Sequence, residues 1–95
     1  MSRILERMAE AHSARMAVHG AMLAHLGIDP GPEAAPSLAG ELRATVLSCT
    51  GCPCPQTCSD WMETGHAGSP PWCNGAEAFA TLTRAVARLP ARDVA

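Results

Sequence analysis

Apolar side chains recur with a helical period in several stretches of this chain and with strand alternation in none. Residues 3–26 contain no proline. Leu5, Met8, His12, Met16, His19, Leu23 and Leu26 fall on one side of a 3.6-residue wheel, and Glu6, Glu10, Ser13, Ala17 and Ala24 fall opposite. The pattern predicts a helix over 3–26, stopped by Gly27 just past its end. A linker over 27–36 follows, in which Pro30, Pro32 and Pro36 forbid continuation.

Ser37 is placed to cap a second helix over 37–48, along which Leu38, Leu42, Val46 and Cys49 are spaced by four, four and three. The run "TGCPCP" breaks it. Pro55 suits the first position of a short third helix, with Cys58, Trp61 and Met62 on one side, inside a Cys-rich segment over 49–64. After a loop over 65–73, Asn74 and Glu77 form a variant capping box for a helix over 75–89. Phe79, Leu82, Val86 and Leu89 mark its apolar face, Pro90 stops it, and 90–95 is a tail. The expected fold is all-α: one domain, 1–95, a small bundle of three main helices plus one short helix, with antiparallel neighbours.

Length limits what such a bundle can bury. A chain this short hides only roughly 60–65% of the surface its unfolded form exposes, so a metal or covalent staple would help it. Its 47% hydrophobic content is largely Ala, and Trp61, Trp72 and Phe79 are its only aromatic residues. Small side chains at that density suit close-packed helices better than strands.

Charge narrows the choice of partners. The net charge is -2 and the seven basic residues are all Arg, scattered along the chain. No concentrated basic stripe exists for a nucleic acid, so none is expected as a partner. Charges at 3, 6, 7 and 10 leave no secretory apolar core at the start, and no stretch approaches the roughly 18 apolar residues of a membrane span. The expected location is the cytoplasm, with no membrane association. Closely spaced cysteines in a reducing compartment read as metal-binding or catalytic before they read as disulfides, and an odd count weakens full pairing further.

Four of the five cysteines lie in "CTGCPCPQTC", residues 49–58. Cys49 closes the second helix, Cys52 sits in the turn, Cys58 lies early in the third helix, and Cys73 precedes the last one. Helix ends that meet at one end of a bundle can gather these positions into a Cys-x2-Cys-x5-Cys-x14-Cys set around one centre. Free cysteines also serve as small hydrophobes of a core, but a turn rich in Gly and Pro is better suited to presenting ligands.

Zinc and iron–sulfur clusters both accept four thiolates. One tight pair with remote partners suits a cluster, 4Fe-4S in the first instance, whereas structural zinc sites usually show two tight pairs. With Cys49, Cys52, Cys58 and Cys73 as ligands and no open position, the site fits electron transfer or redox or iron sensing with a protein partner rather than an enzyme. The alternative is a zinc-stapled helical module that binds a protein.

A third possibility is a thiol- or copper-handling protein using Cys54 and the stripe of Met8, His12, Met16, His19 and Met22, into which Arg15 also projects. Cys54 is otherwise surplus and expected to be exposed, Trp61 and Trp72 are expected to shield the site, and His66 to be solvated. Covalent haem is excluded because Pro53 stands where that motif demands His. A thioredoxin-like dithiol is disfavoured because Cys49 ends a helix rather than opening one. The Ala-rich surfaces of the first and last helices could pair two copies in a homodimer.

Two resemblances attach to these residues. "CTGCPCPQTC" resembles the Cys-x2-Cys-Pro-x4-Cys loop of WhiB-like proteins, in which three such cysteines and an upstream fourth hold a 4Fe-4S cluster; here Cys73 lies downstream. That likeness implies cluster chemistry at Cys49, Cys52 and Cys58 and no transcriptional role. Over most of its length the chain resembles a family of short, helical, uncharacterised alphaproteobacterial proteins. Cys49, Cys52, Cys58, Trp61, Pro71, Trp72, Cys73, Asn74, Phe79 and Leu82 carry the likeness, which implies a shared fold and leaves the role open.

Overall fold

The computed structural model describes residues 2–89. Its elements, in order, are α1 (Ser2–His25), a 3-10 turn (Ala35–Leu38), α2 (Ala39–Thr50), α3 (Pro55–Glu63) and α4 (Ala76–Ala87). No strand occurs among the described residues, so the protein is all-α. The expected stop at Pro90 and the tail lie outside them.

α1 ends as its sequence dictates. Gly27 adopts φ 70°, the left-handed conformation that only Gly takes at little cost. Its N–H donates to the Ala24 carbonyl at 3.1 Å, and the Ile28 N–H reaches back to the Leu23 carbonyl at 2.9 Å. This Schellman geometry swings Ile28 under the helix, where it joins the core with Leu23 beside it.

Two predicted caps are not caps. Ser37 lies inside the 3-10 turn and its Oγ donates to the Ala34 carbonyl at 2.7 Å, so α2 begins at Ala39 after Leu38, without a side-chain cap. The turn takes up residues assigned from sequence to the helix, and α2 runs on to Thr50, so Cys49 lies within its last turn. At α4 the N-cap is Gly75, not Asn74. The Asn74 side chain instead donates Nδ2–H to the Ser48 carbonyl at 3.2 Å, tying the start of α4 to the end of α2.

α1 packs on α2 and α3, and α2 packs on α4. Met22, Ile28, Leu38, Cys58, Phe79 and Leu82 form the buried core. Thr45 is fully buried among them and His19 nearly so. The Thr45 hydroxyl donates to the Leu42 carbonyl at 2.7 Å, and its oxygen lies 2.9 Å from His19 Nε2. With the hydroxyl proton committed to Leu42, His19 Nε2–H is the donor, which fixes the ring as the Nε2–H tautomer. Burial holds the His19 pKa below its ordinary value.

The Met/His stripe therefore does not form one site. Met22 and His19 are inside, Met8 and His12 are exposed, and His19 Nε2 is already occupied. Residues 3–13 of α1 are exposed throughout, and the molecule extends 51 Å along its longest axis against 30 and 24 Å across.

Candidate metal centre

Four points along the chain meet around one cavity. The last turn of α2 brings Cys49, the turn after it brings Cys52, the first turn of α3 brings Cys58, and the loop before α4 brings Cys73. All four residues line a single small cavity of about 20 Å³, roughly the room for one water. Val18, Met22 and Phe79 form its apolar walls. All five cysteines are free thiols.

The ends are brought together by specific contacts. Pro55 opens α3, needing no N–H at a position where none would be satisfied, and the Cys58 N–H closes the first turn on the Cys54 carbonyl at 3.2 Å. The Cys52 N–H donates to the Cys49 carbonyl at 3.1 Å, folding the loop back on α2. From across the bundle Arg15 donates Nε–H to the Cys52 carbonyl at 3.0 Å and contributes to the cavity wall. Its place on the apolar face of α1 was the sequence signal for this role, a cation where only packing would be expected.

Gly75 sets how closely α2 and α4 approach. A Cβ there would stand 2.7 Å from Ser48 Cβ and 3.4 Å from Phe79 Cδ2. Ser48 Cβ is fixed to the helix backbone, so Gly75→Ala must push α2 and α4 apart and with them Cys49 and Cys73. The expected cost is about 1–3 kcal/mol, read by urea denaturation. Combining it with Ser48→Gly should cost less than the sum of the two changes, because the clash is then gone.

The thiols influence one another. The Cys49 pKa is pushed up to about 11, first by burial and then by the neighbouring Cys73, Cys58 and Cys52. Burial, followed by Cys73, Cys52 and Cys54, also raises Cys58. Cys49 and Cys58 therefore resist becoming thiolates unless a cation joins them, and a metal bound there would release protons.

The chain has no Tyr and no Lys to add to the alkaline titration of Cys49. Because folding raises Cys49 from 9.0 to about 11, its contribution to metal-free stability is complete below pH 9 and is lost as pH rises toward 11. The loss should be on the order of 1 kcal/mol once solvent screening of this half-exposed group is allowed for. Chemical denaturation from pH 7 to 10.5 checks it, and Cys49→Ser should make the fall shallower.

Cys54 corrects an expectation. It is half-buried rather than exposed, and it is the one cysteine that does not line the cavity. Burial, followed by the neighbouring Cys52, raises its pKa, while the Trp72 indole lowers it.

The tryptophans shield less than expected. Trp72 is 48% exposed and stands edge-on to Trp61 at 5.4 Å. Trp61 donates Nε1–H to the Gly68 carbonyl at 3.1 Å, the same carbonyl that lies 3.0 Å from His25 Nε2. His66 is exposed, yet its ring stacks on Trp61 at 4.0 Å.

Among the described residues no three His, Cys, Asp or Glu side chains are arranged to hold a metal ion. The four thiols share a wall, and a bound centre must draw them into a common ligand sphere. No helix among the described residues is long and apolar enough to cross a membrane.

No curated protein and no solved structure matches the chain. A family model does match, over residues 5–85, a stretch that takes in all five cysteines, both tryptophans, Arg15 and Gly75. The chain belongs to the family of unknown function DUF6455.

Proposed function

We propose that this protein is a small iron–sulfur protein of the 4Fe-4S type that transfers electrons to a protein partner or senses redox state or iron in the cytoplasm. Cys49, Cys52, Cys58 and Cys73 would hold the cluster. One observation carries the proposal: Cys49, Cys52, Cys58 and Cys73 all line the same cavity, with apolar walls.

The donor set fits the group. Four soft thiolates are what a cluster requires, and such a cluster supplies reversible one-electron chemistry. The likeness of the loop to that of WhiB-like proteins supports the same chemistry at Cys49, Cys52 and Cys58. Arg15 at the wall offsets part of the negative charge of a four-thiolate complex, and the start of α4 beside Cys73 adds the positive end of a helix dipole. Val18, Met22 and Phe79 limit solvent access, which tunes potential.

A zinc staple is the second reading, favoured by cavity size. About 20 Å³ is nearer to one ion than to an iron–sulfur core, so a cluster needs the 51–54 loop and the segment before α4 to spread. Anaerobic purification, an absorbance spectrum and iron, zinc and sulfide analysis decide between them. Visible absorbance with matching iron and sulfide supports the cluster, whereas a colourless protein with one zinc per chain replaces it by the staple.

A further inference from the structure

We propose that Trp72, Trp61 and the acidic side of α3 beside them form the docking surface for a protein partner, and that the partner meets it with a basic, arginine-presenting surface. Trp72 is 48% exposed, a large aromatic ring left half in water. It is held in place: it meets Trp61 edge-on at 5.4 Å, Trp61 is pinned by its Nε1–H bond to the Gly68 carbonyl at 3.1 Å, and His66 stacks on Trp61 at 4.0 Å. A ring already fixed in position loses little conformational freedom when a partner covers it, and tryptophan and arginine are the side chains enriched at the energetic centres of interfaces.

Charge identifies the partner. No Lys or Arg occurs between Arg43 and Arg84, whereas Asp60, Glu63 and Glu77 lie in that stretch and are all exposed. Arg84 itself lines a groove with Leu26 and Phe79 that neither tryptophan lines. Asp60 directly precedes Trp61, and α3 ends at Glu63, so the negative end of its dipole lies within a turn of that ring. Indole faces next to carboxylates attract a guanidinium through both the ring quadrupole and the charge, and they repel an acidic surface. Position gives the surface its use: Trp72 is bonded to Cys73, and Trp61 lies three residues after Cys58. In that use it rests on the four-thiol reading, because a centre held by four thiolates is anionic and adds to the attraction; the docking chemistry itself does not depend on the metal.

Trp61 and Trp72 are the only tryptophans and the chain has no Tyr, so intrinsic emission reports this surface directly. The test titrates the reduced, metal-free full chain at low salt with a nona-arginine peptide, which stands in for the partner's basic surface. The expected result is a saturable change in emission that weakens as salt is raised, with none on adding nona-glutamate. The double variant Asp60→Asn, Glu63→Gln, altered only at exposed positions, should bind at least about threefold more weakly. Trp72→Ala, followed through Trp61 emission and checked for fold by circular dichroism, should do the same. No change with nona-arginine, an equal change with nona-glutamate, or unaltered affinity in either variant overturns the proposal.

Repeating the titration on the zinc-loaded protein tells the docking surface and the four-thiol centre apart. Tighter binding than in the metal-free chain supports both, since loaded thiolates add negative charge beside Trp72. Unchanged affinity leaves the docking surface standing and counts against Cys73 as a ligand.

Discussion

Cys58→Ser and Cys73→Ser are each expected to lower metal affinity by more than about 100-fold, beyond what loss of an outer-shell contact brings, whereas Cys54→Ser should load as the unaltered protein does. The difference follows from placement. Cys58 is only 7% exposed and faces the cavity from the first turn of α3, and Cys73 faces it from the loop before α4. A serine at either position offers a neutral hydroxyl in place of a thiolate, a poor ligand for soft metals. Iron or zinc per chain after purification checks the series. Far-UV circular dichroism of the metal-free variants separates loss of a ligand from loss of fold. Loading that survives Cys73→Ser but fails in Cys54→Ser would exchange the roles assigned to those two residues.

Phe79→Ala should carry the largest stability penalty of any single change, about 3–5 kcal/mol, out of the 5–15 kcal/mol typical of a whole domain. The ring is 2% exposed, lies 5.9 Å from the His19 ring and helps wall the cavity. It is the sole phenylalanine, and both tryptophans are partly or largely exposed, so no other large aromatic side chain can fill the void left behind. Urea denaturation of the metal-free variant should show a midpoint far below that of the parent, or no cooperative transition. A bound metal should restore part of the loss, because it binds the folded state alone.

The parts of the fold visible in the sequence are those set by local chemistry. Gly27 ends α1 because the left-handed conformation belongs to glycine, and Pro55 starts α3 because its fixed φ and missing N–H suit that position. The parts that were hidden depend on partners distant in sequence. Asn74 could serve as a cap, but its amide goes to Ser48, 26 residues earlier. Thr45 is a buried polar residue of α2 whose hydroxyl is shared with His19, 26 residues earlier.

The candidate site divides in the same way. Spacing singled out Cys49, Cys52, Cys58 and Cys73 as a set, and the fold places these four residues around one cavity. Spacing could not reveal Gly75, whose missing Cβ allows two helix ends to approach, because that requirement exists only once α2 and α4 are in contact. Nor could it place Cys54, half-buried outside the cavity, because that depends on how the loop turns.

The exposed first half of α1 divides that helix into two regimes. From Ala14 onward it is held by its neighbours, while the exposed residues 3–13 lean on their own helical propensity, at a length where an isolated helix is marginal in water. Backbone amides there should exchange with deuterium far sooner than those near Met22, and trypsin should cut after Arg3 and Arg7 while the rest of the molecule stays intact.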